Sequence, residues 1–404
     1  MRVVFLNPAG VVGGAERVLL AAVRGVRDQI PGAVPTVVLL ADGPLREAVE
    51  RAGANVEVVP LPAALAAAGD TQLRGGGRVS KLVALGRTAA VSTLPAVDFV
   101  RRLRTVLRRL RPDVVHSNGL KTHLLAWLAV PGGVPVGWHV HDFYSERPLM
   151  ARLLKRGTGR VTGAVAISNA VGRDFTATVP GVPVTVVRNG VDTEHFSPAE
   201  RDGRQLDGMA GMEPSLDVVR VGLVATFANW KGHGVFLEAL ARVPTDLPVR
   251  GYVVGGPIYT TAGSQWTRGE LEQTVTQLGL GGRVGFVPFQ TDPADVYRML
   301  DVVVHASIRP EPFGLTIAEA MSCGRAVVVS AAGGATELFT EGVDALGHQP
   351  GDVGGLAAAI GRLVQDAELR QRLGTNARAT AVDGIGGEQF KQHFAEALRR
   401  LRGR

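Results

Sequence analysis

The sequence predicts an α/β protein with two Rossmann-like, doubly wound domains. Short runs rich in valine alternate with amphipathic stretches along most of the chain, and this alternation indicates parallel strands joined by crossover helices. The composition agrees, because 46% of the residues are hydrophobic, 20% are charged, and 52 glycines suit tight turns between strands and helices. A length of 404 residues is enough for two or three such domains.

The first series of strands and helices begins at the amino terminus. The run "RVVFL" predicts a strand, "AERVLLAAVRGV" a helix and "TVVLL" the next strand, and "DVVHS", "PVGWHV" and "GAVAIS" predict three more strands. The amino-terminal apolar run is about five residues long, which is too short for the core of a signal peptide. We expect this series to form one domain over residues 1–195.

After Arg188 the alternation stops. The stretch "NGVDTEHFSPAERDGRQLDGMAGMEPSLD" is polar, contains glycine and proline and lacks periodicity, so it predicts a linker at residues 196–217. A second series, "VVRVGLVAT", "RGYVVGG", "RVGFVPF", "DVVVHAS" and "RAVVVS", predicts a second domain over residues 218–382. The last run, "GEQFKQHFAEALRRLRGR", predicts a basic amphipathic helix within residues 383–404.

The charge and the missing motifs narrow the chemistry. A net charge of +7 favours anionic partners such as nucleotides, phosphates, nucleic acid or an acidic membrane surface. The sequence contains no Gly-x-Gly-x-x-Gly, no Gly-Lys pair, no Asp-x-Asp and no zinc spacing, so we expect no dinucleotide cofactor, no Walker A loop and no metal site. The single cysteine, Cys323, fits a reducing compartment, and we expect a cytoplasmic protein.

Two glutamates flank a Pro-Phe-Gly turn in the segment "RPEPFGLTIAEAMSCG". Pro312 suits the approach to a helix but not its interior, and the following "GLTIAEAMSC" predicts a helix that ends at Gly324. Glu311 then lies in the loop before this helix, and Glu319 lies one turn inside it.

The start of the predicted helix offers an anion site. The backbone N–H groups near Phe313, Gly314 and Leu315, together with the helix dipole, can meet a diphosphate. Glu319 can accept hydrogen bonds from the hydroxyls of a ribose, and Glu311 can face a sugar attached beyond the phosphates. The alternative is that the two acidic residues only complement the helix dipole.

The segment around the two glutamates resembles the signature of the retaining glycosyltransferases of family 4. The similarity extends over nearly the whole chain: "NPAGVVGGAERV" resembles the amino-terminal glycine loop of that family, "WHVHD" its His-Asp element, "NWKGH" its Lys-Gly phosphate element, and "AISNAV" and "VVRNGVDTEHFSP" the segments that close its first domain. The resemblance implies the glycosyltransferase-B fold, in which two Rossmann-like domains face each other across a cleft. It also implies a donor site in the second domain, an acceptor site in the first, and a final helix that crosses back to the first domain.

The resemblance assigns roles to individual residues. It implies that His141, Lys231 and Glu311 are catalytic, with Lys231 at the departing phosphate and His141 next to the reacting sugar. A fixed donor aimed at developing charge can contribute about 3 kcal/mol. Gly13 and Gly14 carry no Cβ, so their backbone can approach a phosphate or sugar closely, and ordinary turn glycines are the alternative.

The chain departs from the family pattern at one position of the donor site. The family usually carries an arginine where this chain has Thr226. Arg309, Arg188, Arg268 or the backbone donors of residues 227–230 are the candidates to replace it, and Arg309 is preferred because it neighbours Glu311. The expected donor-binding set is Gly13, Gly14, Lys231, Arg309, Phe313, Gly314, Leu315 and Glu319.

Further polar residues follow the strands of the first domain. We expect His141 but not His139 to face the cleft, and we expect His139 to be structural. His116, Asn118 and Lys121 lie at another strand end, where they are candidates for contact with the acceptor.

The combined prediction is a metal-independent, retaining glycosyltransferase of the hexosyltransferase type. It would move a sugar from a nucleotide diphosphate sugar, which is a donor substrate and not a cofactor, to an unidentified natural product, glycan or lipid-linked acceptor. Two alternatives stay open. A noncatalytic relative would only bind a sugar nucleotide or glycan, and a sugar-nucleotide epimerase would share the fold but use no acceptor.

A basic helix is predicted at "VDFVRRLRTVLRRLRPD". Apolar side chains at helical spacing are combined there with six arginines, and such a stripe can dock on an anionic membrane, peripherally at its inner face. The interpretation that we favour is a sheet-covering helix with a solvated face. No nucleic-acid-binding motif accompanies the charge, so we expect no nucleic acid partner.

Overall fold

The computed structural model describes residues 1–63, 95–257 and 264–403. The chain divides into two compact units, one made of Met1–Gly190 with Glu388–Arg404 (unit 1) and the other of Val191–Gly387 (unit 2). Each unit is built on one parallel sheet with crossover helices, which confirms the prediction of an α/β protein with two doubly wound domains.

Seven strands form the described sheet of unit 1. They are β1 (Arg2–Asn7), β2 (Val34–Leu39), β3 (Asn55–Val58), β4 (Val114–Asn118), β5 (Val136–Val140), β6 (Gly163–Ala166) and β7 (Val184–Val186). Their order is β3-β2-β1-β4-β5-β6-β7, and all neighbours are parallel. The strand order reverses between β1 and β4, and doubly wound folds bind ligands outside the carboxyl ends of the strands at such a point. Asn7 and Asn118 end these two strands and so lie at that edge of the sheet.

Helices cover the sheet of unit 1. Those before residue 190 are α1 (Gly14–Gln29), α2 (Leu45–Arg51), α3 (95–110), α4 (Leu120–Ala129), α5 (Pro148–Lys155) and α6 (Asn169–Thr178). The basic helix of the sequence analysis is α3. It buries Leu103 and Leu107 completely and leaves Arg101 and Arg108 exposed, as an amphipathic sheet-covering helix does.

Six strands form the described sheet of unit 2. They are β8 (Val219–Val224), β9 (Val249–Gly255), β10 (Val284–Pro288), β11 (Val302–His305), β12 (Ala326–Ser330) and β13 (Leu346–His348). Their order is β10-β9-β8-β11-β12-β13, again parallel throughout. The order reverses between β8 and β11, so the binding edge of this unit is expected at the carboxyl ends of these strands and of β12.

The helices of unit 2 are packed on a valine-rich core. They are α7 (Gly203–Met209), α8 (His233–Arg242), α9 (Arg268–Gln277), α10 (Ala294–Met299), α11 (Leu315–Ser322), α12 (Val353–Gln365) and α13 (Ala367–Gly384). Strand residues such as Val221, Val302 and Val328 are fully buried in the same core cluster as Phe236 and Leu237 of α8. Each such side chain contributes about 1.5–3 kcal/mol when it leaves water, and the sheet edge that carries the polar residues is held rigid as a result.

The stretch predicted as a linker, 196–217, contains α7 and belongs to unit 2. Asp207 of α7 is fully buried, and it accepts hydrogen bonds from Arg220 Nη2 at 2.8 Å and from Tyr252 Oη at 2.5 Å. The helix is therefore fixed by a buried ion pair with the first strand of unit 2. The prediction of a linker rested on the absence of apolar periodicity, and a buried ion pair leaves no trace in such a pattern.

The last helix, α14 (Gly387–Arg402), packs in unit 1. Its Phe394 ring is fully buried, with its centroid 6.2 Å from that of Phe5 and 5.1 Å from that of His116. Gly137 of β5 lies under the same helix, because a Cβ there would come 2.6 Å from Leu401 Cδ1. No helix in the described ranges combines the length and the apolar character needed to cross a bilayer.

Candidate functional site

The polar residues of unit 2 meet at the carboxyl ends of β8, β11 and β12. The chain leaves β8 and forms a 3-10 turn, Asn229–Lys231, which Gly232 joins to α8. Gly232 has φ +76°, and a Cβ there would come 1.8 Å from the carbonyl oxygen of Ala306. Only glycine fits this position. The close approach fixes Lys231 beside the residues that follow β11.

Lys231 forms an ion pair with Glu311. Lys231 Nζ donates to Glu311 Oε2 at 2.8 Å, and the two side chains are 23% and 14% exposed. Burial opposes ionisation of Glu311, but the Lys231 charge and a hydrogen bond from His305 outweigh it and hold the pKa of this carboxyl well below its usual range. The site therefore contains an ionised carboxylate and a cation at neutral pH.

The loop that carries Glu311 is tied to the neighbouring strand end. The Glu311 N–H donates to the Ala332 carbonyl at 3.1 Å, and the Gly334 N–H donates to the Glu311 carbonyl at 2.7 Å. Ser330 Oγ donates to the Ser307 carbonyl at 2.6 Å. These bonds join the segments after β11 and β12, so the Glu311 side chain starts from a rigid backbone.

Helix α11 begins where the sequence predicts a helix. Its N-cap is Gly314 with φ +108°, Phe313 before it is buried, and Gly324 follows the C-cap with φ +69°. Leu315 is the first helical residue and is half-buried. The first turn thus lies directly after Glu311 in the same rigid loop.

Glu319 lies inside α11 and is 5% exposed. Its Oε2 accepts a hydrogen bond from Tyr297 Oη at 2.9 Å, and Tyr297 is fully buried. The hydroxyl fixes one carboxylate oxygen, as a buried acidic group requires. Tyr297 was absent from the predicted site, and no local pattern marks it, because it ends up beside Glu319 only through the packing of α10 on α11.

Arg309 and Thr226 differ in their surroundings. Arg309 is exposed and forms no ion pair with another described residue. Thr226 is half-buried after β8. That Arg309 supplies the cation that an arginine at position 226 supplies in the family stays a prediction.

Unit 1 holds a second polar cluster at its own switch point. His141 Nε2 lies 2.5 Å from Asn118 Oδ1, and Asn118 Nδ2 donates to Asn7 Oδ1 at 2.7 Å. Asn7 Nδ2 donates in turn to the Ala9 carbonyl at 2.9 Å. Since Asn118 Oδ1 can only accept, the chain of bonds assigns the proton of His141 to Nε2. Sequence analysis missed Asn7, although its place as the last residue of the first strand is a signal for it.

The glycine loop precedes α1 in the same unit. Gly13 is the N-cap of α1, and its N–H donates to Glu16 Oε2 at 3.1 Å, while Gly14 is the first helical residue. Glu16 is 9% exposed, and burial raises its pKa against the effect of the backbone and Asn7 hydrogen bonds. Gly13, Gly14 and His141 thus lie in unit 1, whereas the other predicted site residues lie in unit 2.

Three neighbouring histidines separate into core and edge positions. His116 is fully buried against Phe394, so it cannot contact an acceptor as the sequence analysis allowed. His139 is 1% exposed and structural, but its ring centroid lies 4.1 Å from that of His141, because alternate residues of a strand share a face. His141 is half-buried, and burial lowers its pKa to about 4. It is neutral at physiological pH.

Two family models match most of the chain. The Glycosyltransferase Family 4 model matches residues 12–195, and the model for Glycosyl transferases group 1 matches residues 217–380. The match boundaries fall close to the two units of the structure.

Relatives and solved structures agree with these models. The D-inositol 3-phosphate glycosyltransferase of Stackebrandtia nassauensis is 30% identical over 295 residues, which cover 66% of this chain and 63% of that protein. The enzyme of the same name from Mycobacterium ulcerans is 36% identical over 224 residues, or 54% of this chain and 46% of that protein. The chain thus spans less than two thirds of the length of these curated relatives.

Among solved structures, HepE of Anabaena in complex with UDP-glucose matches with a TM-score of 0.80. The two chains are 26% identical, and the match covers 99% of each. HepE has also been solved with UDP and glucose, at a TM-score of 0.79. The full-length agreement with this structure and the two family models lead to one conclusion: the chain belongs to the group 1, family 4 glycosyltransferases with the glycosyltransferase-B fold.

Proposed function

We propose that this protein transfers a sugar from a nucleotide diphosphate sugar to an acceptor, without a metal ion and with retention of the donor's anomeric configuration. The observation that carries the proposal is the ion pair of Lys231 and Glu311 immediately before α11. The family membership and the UDP and UDP-glucose complexes of HepE support it. The acceptor stays within the predicted classes, namely a natural product, a glycan or a lipid-linked molecule.

In this proposal the donor is bound by unit 2. Departure of the nucleotide leaves negative charge on its terminal phosphate, and the Lys231 ammonium stabilises that charge. A fixed cation or donor of this kind contributes about 3 kcal/mol to a transition state. Lys231 thereby does the work that a divalent cation does in metal-dependent transferases, which is why we propose metal independence.

The two glutamates would bind opposite ends of the donor. Glu311 is ionised, and its Oε1 forms no hydrogen bond with the described residues, so it can accept a hydroxyl of the transferred sugar. Glu319 Oε2 accepts from Tyr297, and the carboxylate, whose two oxygens offer several acceptor positions, can also accept a ribose hydroxyl. The backbone of Phe313, Gly314 and Leu315 and the side chain of Arg309 complete the proposed phosphate contacts.

Unit 1 would bind the acceptor and assist the reacting sugar. His141 is neutral and donates its Nε2 proton to Asn118, so its Nδ1 can accept a hydrogen bond from a sugar hydroxyl, and the ring adds no charge. The backbone of Gly13 and Gly14 can approach the donor closely because these residues lack a Cβ. Retention and the cytoplasmic location are proposed as the resemblance and the cysteine usage imply.

The proposal also includes peripheral contact of the basic helix α3 with a membrane surface. Arg102 of α3 pairs with Asp98 at 3.0 Å, and Arg109 pairs with Glu57 at 2.9 Å. Part of the positive charge of α3 is thus neutralised within unit 1. These pairs favour the sheet-covering interpretation, and peripheral contact with an anionic membrane stays a prediction.

Binding and turnover with defined nucleotides test the proposal. UDP, GDP and ADP are added to the wild-type protein in a thermal-shift assay, because a ligand of the folded state raises the apparent melting temperature. UDP-glucose, GDP-mannose and ADP-glucose are then tested for slow release of nucleotide, with and without EDTA. Release that EDTA does not reduce and that Lys231→Met abolishes is the expected result.

The same assay separates the two alternatives. Conversion of one nucleotide sugar into another without release of nucleotide would identify an epimerase. Binding without release in the presence of any sugar or glycan acceptor would identify a noncatalytic relative. Failure of every nucleotide to raise the melting temperature would overturn the proposal.

A further inference from the structure

The Glu311 carboxylate uses its two oxygens unequally. Oε2 accepts from Lys231 Nζ at 2.8 Å and from Ser307 Oγ at 3.0 Å, and His305 Nε2 lies 3.2 Å away. Oε1 has no hydrogen bond to a described residue and is not one of the buried polar atoms without a partner. One oxygen is therefore saturated by the protein, and the other is open to a ligand.

The contacts of His305 fix its tautomer. An ionised carboxylate only accepts hydrogen bonds, so the proton of the ring must be on Nε2, which also lies 3.0 Å from Ser307 Oγ. Nδ1 is buried and has no hydrogen-bond partner in the part of the chain that the structure describes, and the residue is 5% exposed. His305 thus presents one N–H, and it presents it to the group formed by Ser307 and Glu311.

The charged and titratable groups around this ring come from three elements. Glu311 precedes α11, Lys231 precedes α8, and His348 belongs to β13, where its Nε2 lies 3.3 Å from the His305 carbonyl oxygen. Only Lys231 among these groups carries an assigned role at the donor phosphate. If Lys231 binds a donor phosphate and leaves Glu311, the contact between His305 and Glu311 can persist.

Removal of Lys231 from Glu311 leaves a carboxylate that is mostly buried. Loss of one partner from such a pair is costly, because the remaining charge is desolvated and unpaired. His305 and Ser307 stand at the end of β11, a rigid strand, and their bonds to Oε2 do not depend on Lys231. They are placed to hold the carboxylate in its ionised form and in one orientation.

We propose that His305 is a positioning residue for donor recognition: its Nε2–H, together with Ser307 Oγ, holds Glu311 Oε2 when Lys231 turns to the donor phosphate, so that Oε1 faces a hydroxyl of the transferred sugar. This inference rests on the proposed function. It assigns His305 to recognition of the sugar and not of the nucleotide. Its loss should therefore weaken a nucleotide sugar and spare the free nucleotide.

Two side chains of different chemistry test this assignment. Glutamine can place an N–H close to the position of a histidine Nε2–H, whereas leucine has similar bulk and no donor. Binding of UDP, GDP, ADP and of UDP-glucose, GDP-mannose and ADP-glucose is measured by calorimetry for the wild type, His305→Gln, His305→Leu and Ser307→Ala. Circular dichroism establishes that each variant is folded, and kcat and KM for nucleotide release are measured for the best donor.

We expect His305→Leu to lose about tenfold or more in affinity for the nucleotide sugar and in kcat/KM, since about 1.4 kcal/mol corresponds to tenfold. The affinity for the matching free nucleotide should change less than about twofold. His305→Gln should recover most of the loss, and Ser307→Ala should fall between the wild type and His305→Leu. The glutamine rescue separates a positioned N–H from simple packing.

The outcomes distinguish the inference from the proposed function. Equal affinity of His305→Leu and the wild type for the nucleotide sugar would overturn the inference alone, as would a glutamine variant no better than the leucine variant. Should His305→Leu fail to fold, Ser307→Ala and His305→Gln decide in the same way. Absence of any nucleotide binding by the wild type would overturn the proposed function and this inference with it.

Discussion

Lys231 Nζ lies 2.8 Å from Glu311 Oε2, although 80 residues separate the two in sequence. Their loops follow β8 and β11, which are adjacent parallel strands. The cation that we assign to the departing phosphate is thus held, before any donor arrives, by the carboxylate that we assign to the sugar. When the donor binds, Lys231 has to contact its phosphate while Glu311 contacts its sugar. The first prediction concerns the contribution of Lys231.

Lys231→Met should reduce kcat/KM for nucleotide release by roughly a hundredfold or more, because it removes the charge that stabilises the leaving phosphate. It should also lower the free energy of unfolding by about 1–3 kcal/mol, since Glu311 stays ionised without its cation. Urea unfolding and steady-state release assays measure the two effects.

A double-mutant cycle separates these effects. Glu311→Gln removes the carboxylate charge, so Lys231→Met combined with Glu311→Gln should recover most of the lost stability and none of the activity. If the double variant is as unstable as the sum of the single variants, the pair does not interact as the structure indicates.

The second prediction concerns the turn that presents Lys231. Gly232→Ala places a Cβ 1.8 Å from the Ala306 carbonyl oxygen at φ +76°. We expect a loss of about 2–4 kcal/mol in stability and loss of nucleotide binding, because the strand end must shift. Thermal unfolding and calorimetric binding of the nucleotide diphosphate measure both.

Gly234→Ala is the matched control. Gly234 lies in the first turn of α8 and does not have a positive φ, and a Cβ built on it meets no atom within 4 Å outside its chain neighbours and the backbone of its own helix. Alanine should stabilise the helix there by about 0.5–1 kcal/mol and leave binding unchanged. Equal damage by both alanines would mean that helix α8 as a whole, and not the contact with Ala306, controls the turn.

The sequence allowed the prediction of whatever is local or repeats along the chain. The strands follow from runs of valine, and the start of α11 follows from Pro312, which fixes its own φ, and from Gly314, which allows the positive φ of the N-cap. For Glu311 and Lys231 the sequence predicted only that both belong to one site, and not that they form an ion pair. The hydrogen bonds of Tyr297 to Glu319 and of Asn7 to Asn118 could not be predicted, because they join residues 22 and 111 positions apart.

The predicted linker is a second case in which a contact between residues distant in sequence could not be predicted. Its polar composition without periodicity predicts a linker, yet the helix α7 forms there, and Asp207 and Arg220 form a buried pair that fixes it in unit 2. A charge pattern does not reveal whether two charges meet in the interior. The third prediction tests how much this pair contributes.

Asp207→Asn should destabilise the protein by about 3–5 kcal/mol, because Arg220 is left buried without its carboxylate. Burial raises the pKa of this carboxyl, but the hydrogen bonds from Arg220, Tyr252 and the Ser215 N–H outweigh burial and hold the pKa below the usual value. Asp207→Leu with Arg220→Met removes both charges and should recover most of the stability. A double variant that is still as unstable as Asp207→Asn would show that the ion pair itself, and not the avoidance of a buried charge, stabilises α7.

The last prediction is a loss of stability at mildly acidic pH that originates under α14. His116 is fully buried between Phe5 and Phe394, and neither of its ring nitrogens has a hydrogen-bond partner among the described residues. Burial and the nearby His141 lower its pKa from 6.5 to about 3. Below pH 6.5 the unfolded chain therefore takes up a proton that the folded chain does not, so the folded state loses stability as the pH falls from 6.5 toward 3. Above pH 6.5 the ring is neutral in both states and has no effect.

His116→Phe should remove this dependence while it keeps an aromatic ring against Phe394. For one such group we expect about 2 kcal/mol less loss of unfolding free energy between pH 7.5 and pH 5.0 in the variant. Urea unfolding at the two pH values measures the difference, and exposed His393 in α14 provides the control His393→Gln, which should behave as the wild type. The buried His139 and His123 have pKa values lowered in the same direction, so part of the acid sensitivity should persist in the variant. Identical acid sensitivity of His116→Phe and the wild type would mean that the ring is reached by water or paired in the folded state, contrary to its place in the core.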